Sequence, residues 1–227
     1  PYAPDRSNHF PLESQKNTVS AQLFQKAATA VGYKPYNLPS ANTSGPYTNP
    51  YGAQMGPCNF CGFCSGYVCY MYSKASPNVN ILPALKPLPN FELRPNSHVL
   101  RVNLDSTKTK ATGVTYVDGQ GREIEQPADL VILGAFQFHN VRLMLLSGIG
   151  KPYDPISGEG VIGKNFAYQN MATIKAFFDK DTHTNNFIGA GGNGVAVDDF
   201  NADNFDHGPH GFVGGSPMWV NQAGSRP

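Results

Sequence analysis

Cysteine is missing from almost all of this 227-residue chain: the four present fall between Cys58 and Cys69. A framework of structural disulfides spread through the fold is therefore excluded. Charge is scarce too. Charged residues make up 15% of the chain and the net charge is +1, with Lys and Arg scattered, so neither a disordered polyelectrolyte nor a basic nucleic-acid-binding stripe is present. No run of about 18 apolar residues exists, so no membrane-spanning helix is expected. The opening Pro1-Tyr-Ala-Pro-Asp-Arg6 has no initiator Met, no apolar signal segment and no cleavage site. It reads as the start of a piece of a longer protein, and no compartment is legible from it. No internal repeat is visible.

Glycine and proline are plentiful, at 24 and 19 residues, which favours loops and short strands over a helical bundle. Apolar residues at 40% suffice for a core. Leu23, Phe24, Ala27, Ala28 and Val31 follow helical spacing. Thr18 or Ser20 is placed to cap that helix and Gly32 to stop it. Residues 34–57, with five prolines, form a long loop that leads into the cysteines. Strands are expected at Phe91–Arg94, Val99–Leu104, Gly113–Val117, Arg122–Gln126 and Leu130–Leu133, with Asp118-Gly119 as a hairpin turn. A second helix is expected over Phe138–Leu146, and a further strand over Met171–Phe178.

The cysteines follow a C-x2-C-x2-C-x4-C pattern. A metal centre needs several thiolates converging on one small volume, and a short loop with Gly62, Ser65 and Gly66 can fold its sulfurs inward. Bacterial ferredoxins use a related run, C-x2-C-x2-C-x3-C-P; here the last gap is one residue longer and no Pro follows. Four-thiolate zinc is the direct competitor, although zinc sites usually split their ligands into two separated C-x2-C pairs. Local disulfides or free thiols are the third reading. On spacing alone iron–sulfur leads, and the three remain open. A three-iron cluster needs only three of the four.

Two segments carry a resemblance to a known family. One runs from Ala111-Thr-Gly-Val114 through the apolar Leu130-Val-Ile-Leu133 and Gly134-Ala135 to Leu145-Leu-Ser-Gly-Ile-Gly150. The other is Gly160-Val-Ile-Gly-Lys-Asn-Phe166, although Tyr168-Gln169 replaces the Asp-His usual after it. Together they resemble the glucose–methanol–choline (GMC) oxidoreductases. Gly56-Pro-Cys-Asn-Phe-Cys-Gly-Phe-Cys-Ser-Gly66, Lys74-Ala-Ser-Pro-Asn-Val79 and Ile81-Leu-Pro-Ala84 are similar to the branch formed by flavoprotein subunits of membrane-associated gluconate and sugar dehydrogenases. The match runs from about residue 15 to about residue 215.

The resemblance implies FAD as cofactor and oxidation of an alcohol carbon of a sugar or sugar acid. It implies a three-iron (3Fe-4S) centre on Cys58, Cys61, Cys64 and Cys69, a small subunit, and a membrane-associated cytochrome c subunit that takes the electrons. The intact enzyme would sit peripherally on the periplasmic face of a bacterial inner membrane. Val99 falls where a family strand touches the adenine, and Gly134 and Ala135 fall where the chain passes the dinucleotide. The bland readings are a strand core residue and a strand-end turn. No catalytic residue is expected inside this chain: the glycine-rich pyrophosphate loop would precede Pro1 and the catalytic His would follow Pro227. The expected fold is α+β, with residues 1–89 carrying a helix and the cysteine loop. Residues 90–165 would supply part of the FAD-binding domain, a small meander plus helices. Residues 166–227 would begin an antiparallel substrate-domain sheet. Two alternatives without catalysis are an electron-transfer or assembly module and a zinc-stabilised interaction domain.

Other signals weigh less. Gly189-Ala-Gly-Gly-Asn-Gly194 fits G-x-G-x-x-G, but Val195-Ala-Val197 after it is not a helix start. Asp199–Asp203 lacks the Gly and Glu of a calcium loop. Asp206, His207 and His210 read as a solvated polar loop before they read as metal ligands. His139 lies near the expected flavin region without a catalytic role. Tyr168 and Gln169 are weak candidates for substrate approach.

Overall fold

The computed structural model describes residues 8–64, 66–184, 193–201, 204–212 and 214–222. They form two compact units. The first takes the described residues up to Glu92 together with those from Ala176 onward, and the second is Leu93–Lys175.

In the first unit, helix α1 spans Val19–Ala30. Thr18 caps it, accepting the Ala21 amide at 3.5 Å. At the other end Gly32 turns left-handed (φ 89°), and the Tyr33 amide reaches back to the Ala28 carbonyl at 2.9 Å. The buried positions are Ala21 and Ala28, whereas Ala27 and Val31, expected on the inner face, are exposed. Small residues let the helix lie close on its neighbour, strand β7 (Asn193–Val197), whose five residues are all buried. β7 is the centre of an antiparallel sheet, between β1 (Tyr36–Asn37) and β8 (Met218–Gln222). Val195, Ala196 and Val197 are its core.

A second hairpin joins β2 (Tyr47–Thr48) to β3 (Gln54–Met55). Its turn is organised by Asn49, whose side-chain oxygen accepts the Tyr51 and Ala53 amides at 3.0 and 2.9 Å. Two one-turn helices follow the cysteines, α2 (Pro77–Asn80) and α3 (Leu82–Leu85). Each has Pro in its first turn, where the missing N–H costs nothing. A short 3-10 helix covers Gly208–His210.

The second unit is the expected meander: β4 (His98–Leu104), β5 (Ala111–Val117) and β6 (Glu123–Pro127), antiparallel in that order. Asp118 closes the β5–β6 turn by accepting the Gln120 and Arg122 amides at 2.9 and 3.0 Å. Helix α4 (Gln137–Leu146) packs on β4. The junction is polar: the Val102 amide donates to Ser147 Oγ at 2.8 Å, which donates in turn to the Leu143 carbonyl at 2.6 Å.

Three expected strands do not form. Phe91–Arg94, Leu130–Leu133 and Met171–Phe178 join no ladder. Apolar alternation makes a strand only where a neighbour supplies hydrogen bonds and a covered face. Ile132 and Phe177 are 82% and 93% exposed, so neither is available here. No helix among the described residues is long and apolar enough to cross a membrane.

Gly113 is the tightest point of the meander. Its φ is +154°, and a Cβ there would run into the Gln126 carbonyl and come within 2.9 Å of Pro127 Cα. Gly113→Ala should destabilise the protein by about 1–3 kcal/mol or more. A thermal melt unchanged by the substitution would refute this reading of the β5–β6 contact.

Candidate functional site

The cysteine loop is closed by its neighbours. The segment Ala41–Thr43 lies between the two arms of the loop and bonds to both. On the inbound arm the Cys58 amide donates to the Thr43 carbonyl at 2.9 Å, and Thr43 Oγ1 contacts the Gly56 carbonyl at 2.5 Å. On the outbound arm the Thr43 amide donates to the Ser73 carbonyl at 3.1 Å and the Ala75 amide to the Ala41 carbonyl at 2.9 Å. Ser73, fully buried, donates its hydroxyl to the Thr43 carbonyl at 3.1 Å. Gln15 supports this segment from behind, its amide donating to the Asn42 carbonyl at 3.1 Å. Within the loop Phe60, Gly62 and Gly66 have positive φ, which lets the chain reverse between cysteines. Asn59 bonds across the loop to the Tyr70 hydroxyl.

All four cysteines are free thiols of intermediate exposure. Their surroundings differ. Burial pushes the Cys58 thiol up; the Phe60 amide opposes the rise, and the nearness of Cys64, Cys61 and Cys69 adds to it. Burial acts the same way on Cys69, but the amides of Lys74, Ser73 and Met71 and then the Lys74 charge outweigh it and hold the thiol below its ordinary range. Asn42 Nδ2 approaches Cys64 Sγ at 3.7 Å. Soft donors of this number suit a thiolate-bound metal centre in kind. Among the described residues no group of three or more His, Cys, Asp or Glu side chains is gathered for a metal ion, so the loop as folded is not a preformed one-ion cage.

The positions read toward the cofactor lie in the second unit. Val99 is half-buried on β4, opposite Tyr116, and the strand register shifts between Val99 and Arg101. Such a bulge re-aims the side chains beside it. Gly134 is exposed, and nothing lies within 4 Å of where a Cβ would be. Ala135 is differently placed: its amide donates to Asn140 Oδ1 at 2.8 Å, while Asn140 Nδ2 donates to the Leu133 carbonyl at 3.1 Å. Asn140 thus pins the turn from inside α4, whose preceding residue, Phe136, sits at φ 67° and offers no capping side chain. Sequence reasoning missed Asn140. The available signal was a helix start with no capping residue before it and an amide one turn inside.

The minor candidates resolve locally. Gly194 is in strand β7 and opens no helix; residues 189–192 lie outside the described residues, as does Asp203. Asp199 accepts the Lys34 amide at 3.3 Å, and Asp206 accepts the Gly208 amide at 3.1 Å. His207 and His210 pack on the Phe205 ring, at 5.6 and 6.2 Å. His139 is exposed on α4, and Tyr168 is 75% exposed. A cleft of about 620 Å³ in the first unit is bordered by Phe10, Asn37, Asn49 and Asn193. Three of its amides serve the fold: Asn37 bonds Ser14 at 2.8 Å, Asn49 bonds the Asn80 carbonyl at 2.7 Å, and Asn193 bonds the Lys16 carbonyl at 2.5 Å.

The opposed shifts of Cys69 and Cys58 make a kinetic prediction for the metal-free protein. Thiolate is the nucleophile. Buffered about one unit below the ordinary thiol value of about 8.5, Cys69 should be alkylated by iodoacetamide before Cys58, with the gap narrowing as pH rises. Peptide mapping of the labelled protein reads the order, and Cys58 labelling ahead of Cys69 would contradict it.

The family model for GMC oxidoreductases matches residues 12–171. The chain is also similar to the gluconate 2-dehydrogenase flavoprotein of Pantoea cypripedii, 77% identical over 226 residues. That alignment takes in all of this chain and 37% of the relative, so the chain spans well under half of the length of the protein it matches. The meander, the Gly134 turn and α4 all lie inside the matched stretch, and this chain belongs to the GMC oxidoreductase family.

Proposed function

We propose that this chain is part of a flavoprotein that oxidises an alcohol carbon of a sugar acid, with gluconate as the first substrate to test. The observation that carries the reading is the 77% identity along the whole chain to a gluconate 2-dehydrogenase flavoprotein. FAD, when bound, supplies the acceptor for the hydride. The chain's own part is positional. Gly134 leaves room for close approach of a dinucleotide, because no atom occupies the space a side chain would take. Ala135 would meet it without its amide, which Asn140 already holds. Val99 would present a strand-edge contact beside its bulge.

In the same reading Cys58, Cys61, Cys64 and Cys69 hold an iron–sulfur centre, of the three-iron kind, that passes electrons to a cytochrome c subunit on the periplasmic side of a membrane. Two features support this. The donors are four thiols in a single clamped loop, and they follow one contiguous C-x2-C-x2-C-x4-C run where a zinc site usually has two separated pairs. Exposed apolar groups also ring it: Val68 is 94% exposed, and Tyr67, Tyr70 and Tyr72 are exposed beside it. Such a rim is suited to a protein partner at the place where electrons would leave.

The full-length protein should contain FAD and iron and should reduce cytochrome c when given gluconate. Cys61→Ser should lose the iron and the cytochrome reduction while keeping the flavin. Asn140→Ala should weaken FAD retention by up to about thirtyfold, since its two hydrogen bonds contribute about 1 kcal/mol each. Stoichiometric zinc in place of iron, or a full-length protein free of flavin, would overturn the proposal.

A further inference from the structure

One side chain reaches into the cysteine loop from outside the cysteine pattern. Lys74 follows the buried Ser73 on the outbound arm, and its backbone pairs with Asn42 in an isolated antiparallel bridge. This fixes where its side chain starts. The ammonium donates to the Cys64 carbonyl at 2.7 Å and to the Tyr67 carbonyl at 3.2 Å. Both acceptors belong to the turn between the third and fourth cysteines. A single residue therefore ties the Cys64 and Tyr67 carbonyls to the base of the loop. Neither carbonyl is part of a helix or sheet. A hydrogen bond from a charged donor to such a carbonyl is stronger than one from a neutral donor.

We propose that Lys74 is the built-in cation of the cysteine loop: it holds the Cys64 and Tyr67 carbonyls together and keeps a positive charge on the backbone of the third cysteine, whether or not metal is bound. The positioning half of this role stands apart from the metal reading. The electrostatic half rests on that reading. Thiolates that bind metal carry negative charge, and a centre that accepts an electron becomes more negative still. A fixed cation nearby stabilises the reduced form over the oxidised one. Lys74 would be a positioning residue that biases the centre toward taking electrons and touches neither substrate nor flavin.

A small metal-binding loop commonly owes its fold to the ion. Here the closing bonds come from Thr43, Ser73 and Lys74, so the loop should keep its shape after metal removal. That expectation is what makes Lys74 testable without a cofactor.

The test uses the full-length protein with Lys74→Met and Lys74→Arg. In chelator-treated samples, amide hydrogen exchange across residues 64–69 should rise at least about tenfold in the Met variant. The exchange of β7 and the melting temperature should stay unchanged, and the Arg variant should exchange far less than the Met variant. In iron-loaded samples, the midpoint potential read from the visible or electron-paramagnetic signal should move to lower values in the Met variant and stay near the parent value in the Arg variant. Unchanged loop exchange in the Met variant overturns the positioning role. A potential that stays fixed in the Met variant overturns the electrostatic role. A full-length protein that takes up no iron defeats the iron–sulfur reading and the electrostatic role with it, while the exchange measurement still decides the positioning role. If the Met variant fails to fold, the Arg variant carries the exchange test, and its loop exchanging as fast as that of an unfolded peptide would equally refute the role.

Discussion

Thr43 and Ser73 close the cysteine loop by bonding to each other across its base. Each uses both backbone and side chain: the Thr43 amide goes to the Ser73 carbonyl, the Ser73 hydroxyl to the Thr43 carbonyl, and the two hydroxyls meet at 3.0 Å. Both residues are buried, so water is not there to compete and an unmade bond would be costly. The rest of the loop follows. The position of Cys58 is set by its amide bond to Thr43, that of Lys74 by its place after Ser73, and that of Cys69 by its carbonyl, which accepts the Tyr72 amide at 3.1 Å. The cysteines can therefore be spaced by a flexible run of Gly and aromatic residues without the loop losing its footing.

The second unit depends on a different device. Its meander is narrow, three strands with one helix packed on β4. The Ser147 hydroxyl joins helix to strand where a purely apolar contact would leave the Val102 amide without a partner. Beyond that contact the unit carries much apolar surface in the open, at Leu130, Ile132, Phe136, Phe138 and Ile174. Phe138 stacks at 4.8 Å on Phe166, which gathers two of the apolar side chains beside α4 but does not cover them. An antiparallel sheet tolerates one open face, whereas exposed large apolar groups in this number call for a neighbour.

Local chemistry was legible in the sequence, and partnership was not. Thr18, Gly32, Asp118 and the meander strands acted as their residue types dictate, because caps, stops and tight turns are decided within a few residues. The three strands that failed to form had good alternation or good apolarity but no ladder partner, a condition that a window of sequence does not contain. Pro77 and Pro83 open helices of a single turn, too short for periodicity to reveal. At the candidate site, the cysteine pattern was plain from spacing. Ser73, Lys74 and Asn140 were not, because their roles lie in bonds to backbone carbonyls and amides that only the folded chain brings near.

The central strand of the first unit also has a temporal meaning. β7 pairs with Tyr36–Asn37 and packs under α1, yet it is made only after the whole of Leu93–Lys175 has been synthesised. Contacts this far apart in the chain form late. On the ribosome α1 has to wait for the strand that covers Ala21 and Ala28. Cys58, Cys61, Cys64 and Cys69 are thus synthesised well before the body that carries them can complete its core.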